Sequence, residues 1–107
     1  MRICVIGIGK VGSTTAYTIL ERKLCDELLI IDILKDLCQG IRLDLISAFP
    51  FAKVKVAEYE NANDADIFVI AAGFARTPEM HSREDLLERN KKVFFDIFSK
   101  LKPKKDA

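Results

Sequence analysis

The stretch that decides the fold is residues 5–17, "VIGIGKVGSTTAY". An apolar run ends at Gly7, and Gly9 and Gly12 follow it in the spacing G-x-G-x-x-G. Alone, that spacing is weak evidence. Its surroundings add to it. Residues 2–6, "RICVI", are apolar on both faces, as a strand covered on both sides would be. Residues 11–23 read as a helix, with Val11, Ala16, Ile19, Leu20 and Lys23 near helical spacing. Arg22 and Lys23 sit at the end that favours cations. A second apolar strand, "ELLIID" (27–32), ends in a carboxylate at Asp32, which lies 20 residues after Gly12 (32 − 12).

Strand, glycine turn, helix, strand and terminal acid make the arrangement that binds a dinucleotide. The candidate cofactor-binding residues are therefore Gly7, Ile8, Gly9, Lys10, Val11, Gly12 and Asp32. Gly7 permits the tight turn, Gly9 lets backbone approach a pyrophosphate, and Gly12 lets the helix pack close to the strands. No Asp or Glu occurs before Glu21. The helix N-terminus thus lacks the carboxylate that would answer its free N–H groups, and it is open to an external anion. The alternative is a structural glycine turn in another α/β protein. A P-loop is excluded, because Lys10 is followed by Val11 and the glycine spacing is wrong. A carboxylate at position 32 accepts hydrogen bonds from ribose hydroxyls and repels a 2′-phosphate, which favours NAD over NADP. Lys35 is near enough to soften that preference, and the plainer alternative is that Asp32 caps a turn.

Length and composition set the limits. A chain of 107 residues is one domain at most. Half of it is hydrophobic, 31% is charged, and the formal net charge is +1. No strong field invites nucleic acid or an anionic membrane. No apolar run approaches the ~20 residues of a membrane span. Glycines interrupt the first apolar run at once, so it reads as a buried strand of a cytoplasmic protein and not as a signal peptide. Three widely spaced cysteines, at 4, 25 and 38, suit free thiols in a reducing compartment. The one histidine, His81, has no Cys or His neighbour in sequence, so no metal is expected.

The rest of the chain continues the alternation. A helix is predicted over 35–48, with Leu37, Ile41, Leu45 and Ala48 inward and Pro50 as its stop. "KVKVAEY" (53–59) alternates like an edge strand, with Lys53 and Lys55 guarding the edge. "DIFVIAAG" (66–73) reads as a buried strand, apolar on both faces like a central one. A polar segment, 74–82, precedes a helix over 83–101 whose inner face carries Leu86, Leu87, Asn90, Val93, Phe94, Ile97, Phe98 and Leu101. The expected fold class is α/β: a Rossmann-type parallel sheet flanked by helices, strand order 3-2-1-4. The sheet is expected to be incomplete, with later strands and a substrate domain absent, so that 1–107 form a partial NAD-binding domain. An uncovered apolar edge on the fourth strand points to the first part of a longer protein, or to a second copy as cover.

"AAGFARTPEMHSREDLLERN" (71–90) starts at the C-terminal end of the fourth strand, where parallel sheets bind ligands. Arg76 and Arg83 stand there, and guanidinium groups pair with carboxylates in a bidentate way. Alone, two loop arginines are as well explained by solvated surface charge. Together with "GIGKVGS" (7–13), "IDI" (31–33) and "QGIRLDL" (39–45), however, the stretch resembles the N-terminal part of the lactate/malate dehydrogenase family from end to end. The resemblance implies a Rossmann domain that binds NAD, and reversible hydride transfer between NAD and a 2-hydroxy acid. It implies that Gly7 to Gly12 form the pyrophosphate loop, that Asp32 holds the ribose, and that Asn90 contacts NAD. It implies that Arg83 polarises the substrate carbonyl and that Arg76 chooses the substrate. An arginine at 76 resembles malate dehydrogenases, because it can pair with the second carboxylate of oxaloacetate, where lactate dehydrogenases usually have glutamine.

The loop departs from the family pattern. Glu79 stands where the family often has glycine, adding a negative charge near an anionic substrate, and the loop is one residue longer. The family's proton-relay histidine, its aspartate and a further arginine have no counterpart among the 107 residues, and His81 sits in the wrong segment to replace them. No catalytic residue is therefore expected in this chain, and the chain by itself is expected to be inactive. The alternatives are a lactate or other 2-hydroxy-acid dehydrogenase, or an NAD-binding module without catalysis. The expected partners are a small dicarboxylate or 2-oxo acid substrate and, from the resemblance, further copies in a dimer or tetramer.

Overall fold

The computed structural model describes residues 1–73 and 83–107. Its elements are β1 (Arg2–Ile6), α1 (Lys10–Glu21), β2 (Glu27–Ile31), α2 (Lys35–Ala48), β3 (Val54–Val56), a single 3-10 turn at Tyr59–Asn61, β4 (Ile67–Ile70) and α3 (Arg83–Lys100). The strands form one parallel sheet in the order β3-β2-β1-β4, as the alternation of elements predicts.

Strand side chains alternate across the sheet, so its two faces build two separate cores. On one face Ile3, Val5, Leu28, Ile30 and Val54 meet Ala16, Ile19 and Leu20 of α1 and Cys38 and Leu45 of α2. On the other, Cys4, Ile6, Leu29 and Ile31 meet Ile97 and Leu101 from the α3 side, with Ala57, Ala62 and Ala65 filling the remainder. Each fully buried aliphatic side chain stabilises the fold by roughly 1.5–3 kcal/mol. β1 and β2, whose apolar residues are all buried, therefore anchor the molecule.

Several local expectations shift for one reason: each helix buries only the stripe that meets the sheet, and a residue beside that stripe turns outward. α1 starts at Lys10, and its buried residues are Gly12, Ala16, Ile19 and Leu20, an i, i+4, i+7, i+8 series. Val11 falls outside that series and is 69% exposed. Lys23 adopts a left-handed conformation, φ 51°, so α1 closes at Glu21 with no cation in its last turn. In α2 the buried positions are Cys38 and Leu45, while Leu37 is exposed. In α3 Leu87 and Phe98 face outward while Ile97 is buried.

The sheet edges also differ from a simple reading. The third strand is only Val54–Val56, because the chain then turns inward at Ala57 and Ala62. Its edge is guarded: the Arg42 Nε donates to Val54 O at 2.9 Å, and Lys55 pairs with Glu27 at 3.2 Å. β4 is the other edge, as the order 3-2-1-4 requires, but where its apolar sequence reads as buried the strand is only partly covered, with Ile67 43% exposed.

Candidate functional site

The candidate residues gather at the C-terminal ends of β1, β2 and β4. β1 ends at Ile6, and Gly7 turns with φ +91°, a conformation that side chains rarely adopt. The turn is also packed shut. A β-carbon on Gly7 would lie 2.4 Å from the Ala72 nitrogen. One on Gly12 would lie 1.7 Å from the Gly7 carbonyl oxygen, so α1 sits directly on the turn. Gly9 is different: among the described residues a β-carbon there would meet nothing within 4 Å. Two glycines are therefore required by the fold, and the third faces open space.

Gly9 is the N-cap of α1, in an extended conformation, and no side chain among the described residues caps the helix. Its first turn carries no acidic residue. Ser13 and Thr14 hydroxyls turn back to the Lys10 carbonyl, and the Thr15 hydroxyl to Val11. They leave the N-terminal N–H groups to an outside acceptor. Such an end attracts an anion through its N–H groups and its dipole. Lys10 follows directly and is exposed, adding a cation.

Asp32 begins one residue past β2 and is half-buried. Its Oδ2 accepts the Ile8 N–H at 2.8 Å and its Oδ1 accepts the Leu34 N–H at 2.9 Å. The carboxylate thus stands beside the glycine turn, and each oxygen keeps further acceptor capacity. Asn90 comes from α3 to the same end of the sheet: a β-carbon on Gly73 would lie 3.0 Å from its Oδ1. Arg83 opens α3, but its side chain, like the whole of Arg76, lies outside the described residues.

Two residues were missed from the sequence. Ile33 and Leu34, directly after Asp32, are 82% and 59% exposed. They make an apolar surface next to the carboxylate. Their signal in the sequence is two large apolar residues continuing beyond a strand's end. Among the described residues no group of His, Cys, Asp and Glu could hold a metal ion, and no helix is long and apolar enough to cross a membrane.

An open glycine, an uncapped helix end without acids, and a carboxylate beside them fit a dinucleotide: pyrophosphate on the N–H groups, ribose on the acid. Comparison with known proteins gives the family. Residues 1–106 match the family described as lactate/malate dehydrogenase, NAD binding domain. A malate dehydrogenase of Chlorobium luteolum is 41% identical over 106 residues, which cover 94% of this chain and 34% of that enzyme. L-lactate dehydrogenase 2 of Lactobacillus johnsonii is 42% identical over 99 residues, covering 90% of this chain and 32% of that enzyme. Among solved structures, the malate dehydrogenase of Archaeoglobus fulgidus in complex with NADH superposes with a TM-score of 0.83 at 36% identity, covering 94% of this chain and 35% of that one. The chain thus spans about a third of the length of the relatives it matches. It belongs to the lactate/malate dehydrogenase family, matching that family's NAD-binding domain.

Proposed function

We propose that the chain is the cofactor-binding portion of an NAD-dependent malate dehydrogenase-like oxidoreductase. The observation that carries this is the open, uncapped N-terminus of α1 beside Asp32. In this reading the N–H groups from Gly9 to Gly12 receive the pyrophosphate, with Lys10 and Val11 at its rim. Asp32 accepts the ribose hydroxyls, Ile33 and Leu34 give the adenine ring an apolar platform, and Asn90 meets NAD from α3. NAD supplies hydride chemistry when bound. The chain's own part is to seat it and, through Arg76 and Arg83, to hold and polarise an anionic 2-oxo acid.

Arg76 supports oxaloacetate over pyruvate, because a second carboxylate needs a second cationic partner. Lactate or another 2-hydroxy acid is the alternative substrate, and relatives of both names support the dehydrogenase class. The three free cysteines support a reducing, cytoplasmic setting. The resemblance supports a dimer or tetramer.

Calorimetric titration with NAD and NADP tests the cofactor reading: NAD should bind, and more tightly than NADP. No binding of NAD would end it. Steady-state kinetics of the complete gene product with oxaloacetate and pyruvate test the substrate. Arg76→Gln should depress turnover of oxaloacetate selectively; an equal loss on both would remove Arg76 as the selector. The 107 residues alone should not oxidise NADH, since general acid catalysis is worth roughly 10²–10⁴-fold and His81 is their only histidine.

A further inference from the structure

We propose that Asp32 is also the fastener of the glycine turn, a positioning residue whose carboxylate stands in for the next rung of the sheet. β1 and β2 run in register from Arg2↔Glu27 to Ile6↔Ile31. One more backbone bond follows, from Gly7 N–H to Ile31 O at 2.7 Å. The positive φ of Gly7 then swings the chain out of the ladder. Ile8 comes next, and it is buried at 1% exposure. A buried N–H must find a partner, and the departing β2 backbone gives Ile8 none. The Asp32 Oδ2 provides it at 2.8 Å.

The carboxylate is itself held. Its Oδ1 accepts the Leu34 N–H two residues on, at 2.9 Å, in the manner of an Asx turn. One side chain therefore ties the turn after β1 to the turn after β2. Each carboxylate oxygen offers two acceptor positions, so this leaves one on each for a ribose hydroxyl. The ends of the site for ribose and for pyrophosphate then share a single group. An acid that only read the ribose would have no need to bond Ile8. The pyrophosphate part of this inference rests on the NAD reading above; the fastening of Ile8 does not.

Two neutral variants separate the roles, because the change in charge is common to both. Asp32→Asn keeps an acceptor oxygen, and Asp32→Ala keeps none. In the ligand-free chain the Ile8 amide should exchange with solvent faster in Asp32→Ala than in Asp32→Asn, by on the order of tenfold, the size of one lost hydrogen bond. Inorganic pyrophosphate should bind Asp32→Ala more weakly than Asp32→Asn. Equal exchange at Ile8 and equal pyrophosphate affinity in the two variants would overturn the proposal. Should Asp32→Ala not fold, the wild-type chain decides: a scalar coupling across the hydrogen bond between the Ile8 amide nitrogen and the Asp32 carboxylate carbon is expected, and its absence overturns the proposal. Failure of the NAD reading looks different. The wild type would then bind neither NAD nor pyrophosphate while the exchange contrast at Ile8 persisted, and the fastening would stand.

Discussion

Gly12 is seated against Gly7: a β-carbon on Gly12 would lie 1.7 Å from the Gly7 carbonyl oxygen. That contact brings the first turn of α1 against the end of β1. Neither partner can yield easily, since the obstructing atom is backbone and Gly7 is itself enclosed by Ala71 and Ala72. Gly12→Ala should therefore destabilise the chain by roughly 1–3 kcal/mol or more, as overpacking does. Urea denaturation checks this. An unchanged midpoint would show that α1 can slide outward at little cost.

Gly9→Ala should behave in the opposite way. Among the described residues the added methyl meets no atom within 4 Å, and the φ of −70° suits any residue. Stability should change by less than about 1 kcal/mol. NAD affinity should fall roughly tenfold or more, because the methyl occupies the space assigned to the pyrophosphate. Thermal melting with a parallel NAD titration reads both quantities, and undiminished affinity would move the pyrophosphate away from Gly9.

Acid should loosen the opposite end of the sheet. The Arg2 Nε donates to Glu27 Oε1 at 2.7 Å, and Lys55 lies 3.2 Å from the second oxygen. The Arg2 hydrogen bond, ahead of Lys55, holds the Glu27 carboxyl below its ordinary value. A depressed carboxylate stabilises the fold fully above the unfolded value, about 4.3 for glutamate. The contribution is lost as pH falls through the lower folded value. Asp66, bonded by Lys104 and the Arg2 N–H, and Asp26, paired with the N-terminal amine, shift in the same direction. The stability of Glu27→Gln should fall less steeply than that of the wild type as pH drops below about 4.3. Parallel slopes would show that the network does not carry the acid response.

The thiols should separate by burial. Burial pushes the Cys4 thiol up to about 12. It raises Cys38 as well, with the Asp32 charge adding to the effect. Cys4 and Cys38 are both fully buried, whereas Cys25 is only half-buried. A thiolate is the reactive form. A disulfide reagent near pH 8 should therefore modify Cys25 first in the folded chain, and all three cysteines after denaturation. Rapid labelling of Cys4 in the folded chain would contradict the central placement of β1.

The sequence by itself determined the order of elements, the glycine turn and the place of Asp32. These depend on spacing along the chain: a strand's apolar run, a helix's period, a glycine where no side chain fits. It also showed, through the absence of acids before Glu21, that the helix end was open. Only the tertiary structure decided which residues meet. It turned Val11 outward, because the helix must present one face to the strands. It left β4 only partly covered. It brought Asn90 to Gly73, 17 positions away (90 − 73), and the Asp32 carboxylate to an Ile8 amide 24 residues earlier. Those pairings arise from packing two elements together, and no periodicity within either element encodes the partner.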